Sequence, residues 1–454
     1  MSLATTLLGN RYHFSDLKEV LAKASEIKSG DELAGVAARD PKERVAAKAV
    51  LADTSLKTLR ENPVVPYEID ELTRQVEDNL DQEIFSQVGS WTVGEIREWI
   101  LDTATSGDDI LALSPALTPE TIAATAKLMS NLDLAMASKK INVVVRCNNT
   151  VGLPQRISYR LQPNHPTDDA DAIIASTREG LVYGTGDAVI GINPATDSTE
   201  STCELLQVTR EHLDRWRVPT QNCLLSHVTI QMEALRRKAP MDLMFQSLSG
   251  TEKGCRAFGI DIQLLDEAAQ MVQELGAATG PNRMYFETGQ GSALSSDAAH
   301  GADQQTIEVR NYTLARRWNP FLVNTVVGFI GPEYLYDGPQ IIRAGLEDVF
   351  CGKLAGLPMG CDVCYTNHAH SDQNQLENLS MVLAAAGCTF YMGMPLGDDI
   401  MLNYNSTSFH DNASVRHIYG YRPAPEFERW MEETGLIKDG MPTARFGDPT
   451  CLKA

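Results

Sequence analysis

From about residue 142 onward the chain alternates short apolar or β-branched runs with longer amphipathic stretches. The runs are Asn142–Cys147, Ala188–Asn193, Cys223–Val228, Leu243–Ser247, Met284–Glu287, Leu322–Phe329, Leu357–Asp362 and Cys388–Met392. Their length and residue types predict strands. Between them, apolar spacing predicts helices over Asp169–Leu181, Glu200–Trp216, Thr229–Lys238, Asp261–Leu275, Gln305–Arg317, Pro339–Leu354 and Gln373–Ala386. Eight runs with intervening helices over about 250 residues match a (β/α)8 TIM barrel of the α/β class. A doubly wound open sheet is the rival, but its phosphate fingerprint is missing. Gly289-x-Gly291 lacks the third glycine, and Gly184-x-Gly186 precedes a strand instead of following one.

Residues 1–140 read as a helical N-terminal extension. Ser15 precedes Leu17, Val20, Leu21 and Ala24 at helical spacing. Asp40-Pro41 with Glu43 supplies an N-cap, a proline in the first turn and a capping-box acid, and Thr92 with Glu95 and Thr118-Pro119-Glu120 repeat the device. The division expected is this extension, a catalytic barrel over 141–395, and a C-terminal extension over 396–454 with a short helix near Pro425–Thr434.

A formal charge of −21 argues against nucleic acid or an anionic membrane surface as partner. The nine cysteines, scattered and odd in number, do not form a disulfide framework. No signal peptide and no apolar stretch near the roughly 20 residues of a membrane span is recognisable, so the cytosol is the expected compartment.

Several runs end on a polar residue before a turn, as at a barrel mouth: Glu287 before a Gly/Ser loop, Asn193 before Pro194, Gln246 before Ser247, and Asp362. Glu287 and Asp362, at the fifth and seventh runs, could hold a cation in low dielectric, act as an acid/base pair for glycoside hydrolysis, or form structural salt bridges. Arg160 and Gln162 are two apart, on one face of an extended segment, and suit a small hydroxyl- or amine-bearing ligand or stand as a surface pair. Asn193 is held extended by Pro194 and could meet the same cavity. Cys361-x2-Cys364 with His368 and His370 invites a zinc reading, but lacks a second ligand pair and reads as packed thiols and loop histidines. Met392, Met394 and Met401 are core filler or an adaptable apolar surface for a large planar cofactor.

The chain resembles the large subunit of ethanolamine ammonia-lyase over nearly its whole length. The segments that carry the resemblance are Leu161-Gln162-Pro163-Asn164, Gly186-Asp187-Ala188-Val189-Ile190-Gly191, Tyr285 to Ser295, Asn324 to Tyr336, Cys361 to His368 and Met392 to Tyr404. The resemblance implies an adenosylcobalamin-dependent radical enzyme whose corrin caps a (β/α)8 barrel and seals ethanolamine beneath it. It places substrate binding on Arg160, Gln162, Asn193, Glu287 and Asp362, with Glu287, Asp362 and Arg160 as catalytic residues. It places cobalamin contacts on Pro194, Gln246, Ser295 and Met401, with no protein ligand to the metal; in keeping with this, the chain has no Asp-x-His-x-x-Gly string.

The implied reaction begins with hydrogen abstraction from the hydroxyl-bearing carbon by a 5′-deoxyadenosyl radical. The amino group then migrates to that carbon, hydrogen returns, and ammonia leaves to give acetaldehyde. Glu287 and Asp362 would hold the ammonium, Gln162 and Asn193 would fix the amine, and Arg160 would anchor the hydroxyl oxygen. The resemblance also implies a small partner subunit, a hetero-oligomer of large/small pairs, and a cytoplasmic enzyme of the kind that bacterial microcompartments enclose. The competing readings are a carboxylate-pair glycosidase on the same barrel and a silent barrel serving only in assembly.

Overall fold

In the computed structural model, which describes residues 3–452, eight parallel strands form one sheet in the cyclic order expected of a barrel. They are β1 (Ser158–Leu161), β2 (Val189–Ile192), β3 (Asn222–Leu224), β4 (Met244–Ser247), β5 (Met284–Thr288), β6 (Leu322–Val326), β7 (Met359–Asp362) and β8 (Phe390–Gly393). β8 pairs with β1, with Met392 opposite Arg160, so the sheet comes back on itself. The seam between β3 and β4 carries no ladder. It is joined by the Leu243 N–H donating to the Asn222 carbonyl at 3.3 Å and by Asn222 and Asp242 exchanging backbone-to-side-chain bonds at 2.9 and 3.1 Å.

The helices follow the sequence reading closely. Thr199–Trp216, Ile262–Leu275, Gly338–Leu354 and Gln373–Ala385 start at Ser198, Asp261, Asp337 and Asp372, whose side chains accept from backbone N–H groups of the first turn. The eighth barrel position is filled by Phe409–Tyr419, which starts with a Ser408/Asp411 capping box. The Tyr159 hydroxyl on β1 donates to the Asn412 carbonyl of this helix at 2.8 Å.

One expected strand is corrected. Asn142–Cys147 does not enter the barrel; Val145–Arg146 pairs with Thr150–Val151 in a small hairpin. Val145, Cys147 and Val151 join Val189, Cys223, Leu243 and Tyr285 in the barrel's interior cluster, so the hairpin packs against that interior. The first barrel strand is instead Ser158–Leu161, which is wholly buried. A second correction is at the N-terminus. The expected all-helical extension opens with a hairpin, Ala4–Leu7 against Asn10–His13, turning through Leu8 and Gly9 at positive φ.

The rest of the extension is helical, and Asp40, Thr92 and Thr118 cap their helices as the sequence predicts. Of these three the reciprocal capping box forms at Thr92 alone, because Glu43 accepts from the Arg39 N–H and Glu120 from the Val64 N–H instead. It packs on the barrel helices Gln304–Ala315 and Gly338–Leu354. Buried ion pairs fasten it there: Arg310–Asp70 at 2.7 Å, Lys127–Asp303 at 2.7 Å and Lys28–Glu347 at 2.9 Å. Gln304–Ala315 is buried on every side, so the hydrogen bonds its polar residues make are to other protein groups. Among the described residues no helix is long and apolar enough to cross a membrane.

Candidate functional site

Along each strand, alternate residues face inward, and the inward set changes character with height. Lower in the barrel it is apolar: Val189, Cys223, Tyr285, Leu322 and Phe390. One step towards the C-terminal ends it turns polar, with Arg160 on β1, Glu287 on β5 and Asp362 on β7. The C-terminal mouth is where this fold presents chemistry.

A cavity of about 220 Å³ opens there, lined by Arg160, Gln162, Asn193, Glu287 and Asp362. Side chains far apart in sequence therefore meet in one space. Tyr404 lies among them, and Leu225, Phe245, Val326, Phe329 and Leu402 supply apolar walls.

Arg160 is the hub. It is 1% exposed, and its Nη1 donates to Tyr285 Oη at 2.9 Å and Glu287 Oε1 at 2.6 Å. Its Nη2 donates to Asn193 Oδ1 at 2.6 Å and the Gly191 carbonyl at 3.4 Å. Gly191 is required by this arrangement, since a Cβ there would stand 2.5 Å from Arg160 Nε. Burial opposes the guanidinium's charge, yet Tyr285 and Glu287 hold it above its ordinary proton affinity.

Because Arg160 can only donate, Asn193 must turn its carbonyl oxygen to it. That leaves the Asn193 amide NH₂ for the cavity. Gln162 is oriented the opposite way. Its Nε2 donates to Asp399 Oδ2 at 2.7 Å and to Tyr404 Oη at 2.9 Å, which occupies both hydrogens and leaves Oε1 as an acceptor.

Glu287 Oε1 accepts from Arg160, from Tyr285 Oη at 2.7 Å and from Asn324 Nδ2 at 3.4 Å; Oε2 has no protein donor among the described residues. Asp362 accepts from Ser406 Oγ at 2.6 Å and Tyr404 Oη at 2.9 Å. Burial raises its pKa to about 6, against the pull of those two hydroxyls and with Glu287 adding to the rise. The cavity thus sorts its polarity, with Glu287, Asp362 and Gln162 Oε1 as acceptors and Asn193 Nδ2 as donor.

The loops after β7 and β8 cross the mouth as a small antiparallel sheet of Tyr365–Thr366, Tyr404–Asn405 and Asp398–Asp399. Phe329, from the loop after β6, meets the Tyr404 ring edge-on at 5.1 Å. Around them stand exposed apolar side chains, Leu396 at 83%, Ile400 at 74% and Phe329 at 37%. Exposed apolar side chains at the mouth of a polar cavity suit a large flat ligand.

The four positions expected to touch cobalamin all lie at the strands' C-terminal ends or in the loops that follow, and none of them lines the cavity. Pro194 directly follows Asn193. Gln246 sits on β4 with its carbonyl accepting from the Val228 N–H at 3.0 Å and its amide donating to the Ser247 carbonyl at 3.1 Å. Ser295 is exposed and donates to the Ser292 carbonyl at 2.8 Å. Met401 is half-buried on the rim, its N–H donating to Asp399 at 3.0 Å. Cys361 packs outward near Gly345, Cys364 joins the interior cluster, and His370 stacks on Tyr336.

Sequence reasoning missed Tyr404, Ser406 and Asp399, which belong to the mouth-spanning loop, and gave no role to Tyr285, Asn164 or Asn324. Tyr404 closes the quoted string from Met392. The adjacent acids Asp398-Asp399 were the one local signal for the loop's anchor.

Comparison with known proteins gives a consistent answer. Residues 12–445 match the family described as Ethanolamine ammonia lyase large subunit (EutB). The chain is 54% identical over 450 residues, 99% of each chain, to the ethanolamine ammonia-lyase large subunit of Escherichia coli (strain K12). It shows the same 54% identity over 450 residues, again 99% of both, to that of Salmonella typhimurium (strain LT2). This chain therefore belongs to the ethanolamine ammonia-lyase large-subunit family.

Proposed function

We propose that this chain is the catalytic large subunit of an ethanolamine ammonia-lyase, that ethanolamine occupies the Arg160–Asp362 cavity, and that adenosylcobalamin seats on the apolar rim above it. The observation that carries the reading is the sorted polarity of the cavity. Ethanolamine has a cationic donor at one carbon and a hydroxyl at the other, and the walls offer acceptors for the first and a donor for the second.

Glu287 Oε2, Asp362 and Gln162 Oε1 would receive the ammonium N–H groups. In low dielectric such charge-assisted bonds are stronger than in water. An ammonium has no lone pair, so the free Asn193 NH₂ cannot hydrogen-bond to it and fits the hydroxyl oxygen instead. Arg160 holds Glu287 and Asn193 at fixed spacing and places positive charge beside that oxygen. Asp362, whose proton affinity lies close to neutral pH, is suited to take a proton as ammonia leaves.

The rim residues Phe329, Leu396, Ile400 and Met401, and Pro194 in the loop after β2, would seat the corrin. When bound, adenosylcobalamin supplies the radical that exchanges hydrogen with the substrate carbon. The chain's part is to orient the two-carbon substrate, moderate the charge on its nitrogen and keep water out. A small subunit, implied by the large-subunit names of the relatives, would complete the cobalamin site.

The test is to combine the chain with the small subunit, adenosylcobalamin and ethanolamine. Acetaldehyde, ammonia and loss of the cobalt–carbon absorbance are expected. Their joint absence with an intact partner would refute the reading.

A further inference from the structure

Asp399 is 5% exposed and its carboxylate accepts from four neutral N–H donors on two sides. Oδ2 accepts from Gln162 Nε2 at 2.7 Å and Asn164 Nδ2 at 2.6 Å, in the loop after β1. Oδ1 accepts from the Met401 N–H at 3.0 Å and the Leu402 N–H at 2.7 Å, in its own loop. The Asp399 carbonyl accepts from the Asn403 N–H at 2.7 Å and closes the same turn. One carboxylate thus joins a wall of the cavity to the apolar rim.

The direction of these bonds matters. A carboxylate can only accept, so Gln162 must present Nε2 to it, and a glutamine amide has no other way to turn. Asn164 is fixed in the same manner, and its Oδ1 in turn accepts from the Asn193 N–H at 2.8 Å. We propose that Asp399 is a positioning residue with two linked tasks: it holds Gln162 with its carbonyl oxygen facing the substrate's ammonium, and it anchors the Ile400–Leu402 rim. This rests on the functional reading above.

Asp399→Asn changes this logic while keeping size and shape. An asparagine has one oxygen for two pairs of donors. With Oδ1 retained by Met401 and Leu402, its NH₂ faces the Gln162 NH₂, and Gln162 relieves the clash by flipping. A donor then points at the ammonium. In the holoenzyme, KM for ethanolamine should rise about ten- to a hundredfold, the range for a hydrogen bond to a charged group, with kcat changing less. The double variant Asp399→Asn/Gln162→Glu should recover most of that loss. The carboxylate introduced by Gln162→Glu accepts from the new NH₂ and again offers an acceptor to the substrate. Asp399→Ala removes the rim anchor outright, and hydrogen exchange at the Met401 and Leu402 amides of the unloaded protein should quicken at least about tenfold.

An unchanged KM in Asp399→Asn would overturn the first task. A failure of Gln162→Glu to rescue would do the same, because damage spread through the loop is not repaired by restoring one acceptor. Unaltered exchange at Met401 and Leu402 would overturn the second. Should wild-type protein fail to turn over ethanolamine, the functional reading falls, and the exchange measurement still decides whether Asp399 holds the rim.

Discussion

Asp362→Asn should make the protein more stable and a worse binder of ethanolamine, and both effects follow from one buried charge. Burial moves the Asp362 carboxyl from the ordinary 3.8 to about 6. At about 1.36 kcal/mol for each tenfold step in proton affinity, keeping it ionised in the fold costs about 3 kcal/mol at pH 8. The folded protein binds this proton more tightly than the unfolded chain. The destabilisation is therefore complete above pH 6, shrinks as the pH falls from about 6 towards 3.8, and is absent below. Asparagine removes the charge and keeps the shape, but it has one oxygen for two hydroxyl donors. Either Ser406 or Tyr404 therefore loses its acceptor and must turn to accept from the new NH₂, at a cost of about 1 kcal/mol. The net gain of about 2 kcal/mol corresponds to a rise in Tm of about 2 °C for a chain of 454 residues. In the proposed pose ethanolamine would lose one of its two carboxylate partners, and its affinity should fall about ten- to a hundredfold. The assay is paired thermal melts of wild type and variant at steps from pH 8 to pH 5, with titration calorimetry of ethanolamine. The variant's margin should narrow as the pH drops, and wild-type affinity should weaken below pH 6 while that of the variant stays flat. A variant less stable than wild type at pH 8, or one that binds ethanolamine undiminished, would refute the reasoning.

Other outcomes follow from the same geometry. Glu287→Gln should abolish turnover in a steady-state assay while circular dichroism shows the fold intact, since the new amide oxygen can still accept from Arg160 and Tyr285 but carries no charge for the ammonium. Arg160→Lys should lower kcat/KM at least about a hundredfold, because an ammonium cannot reproduce the planar fork that bridges Glu287 and Asn193. Ile400→Asp on the exposed rim should weaken cobalamin binding, read from its absorbance, and leave ethanolamine binding in calorimetry unchanged. Asp70→Ala strands Arg310 between the extension and the barrel, with Glu120 at 3.9 Å as its remaining acid, and should cost about 3–5 kcal/mol in a denaturant melt.

Most of the barrel was legible because its outer helices obey simple rules. Helices such as Thr199–Trp216 and Ile262–Leu275 show an apolar stripe and a Ser or Asp at the N-cap. The first strand was misplaced because Asn142–Cys147 carries three consecutive valines, whereas Ser158-Tyr159-Arg160-Leu161 has a charge at its centre. That charge is tolerated because it lies in the polar layer at the barrel mouth, where Tyr285, Glu287 and Asn193 accept its hydrogen bonds. The N-terminal hairpin was hidden by its turn, Leu8-Gly9, which lacks the usual Asn-Gly or Asp-Gly signal. The inward polar residues could be read from strand ends followed by turns. Tyr404, Ser406 and Asp399 could not, because they belong to a loop with no periodicity, and only the folded barrel brings that loop across the mouth.

Where ethanolamine binds is the most direct test, and a structure of the large and small subunits with cobalamin and ethanolamine measures it. The amine nitrogen is expected within hydrogen-bond distance of Glu287 Oε2, Asp362 and Gln162 Oε1, and the hydroxyl oxygen on Asn193 Nδ2, beneath a corrin resting on Phe329, Leu396 and Ile400. Ethanolamine bound outside this cavity, or turned end for end within it, would contradict the assignment.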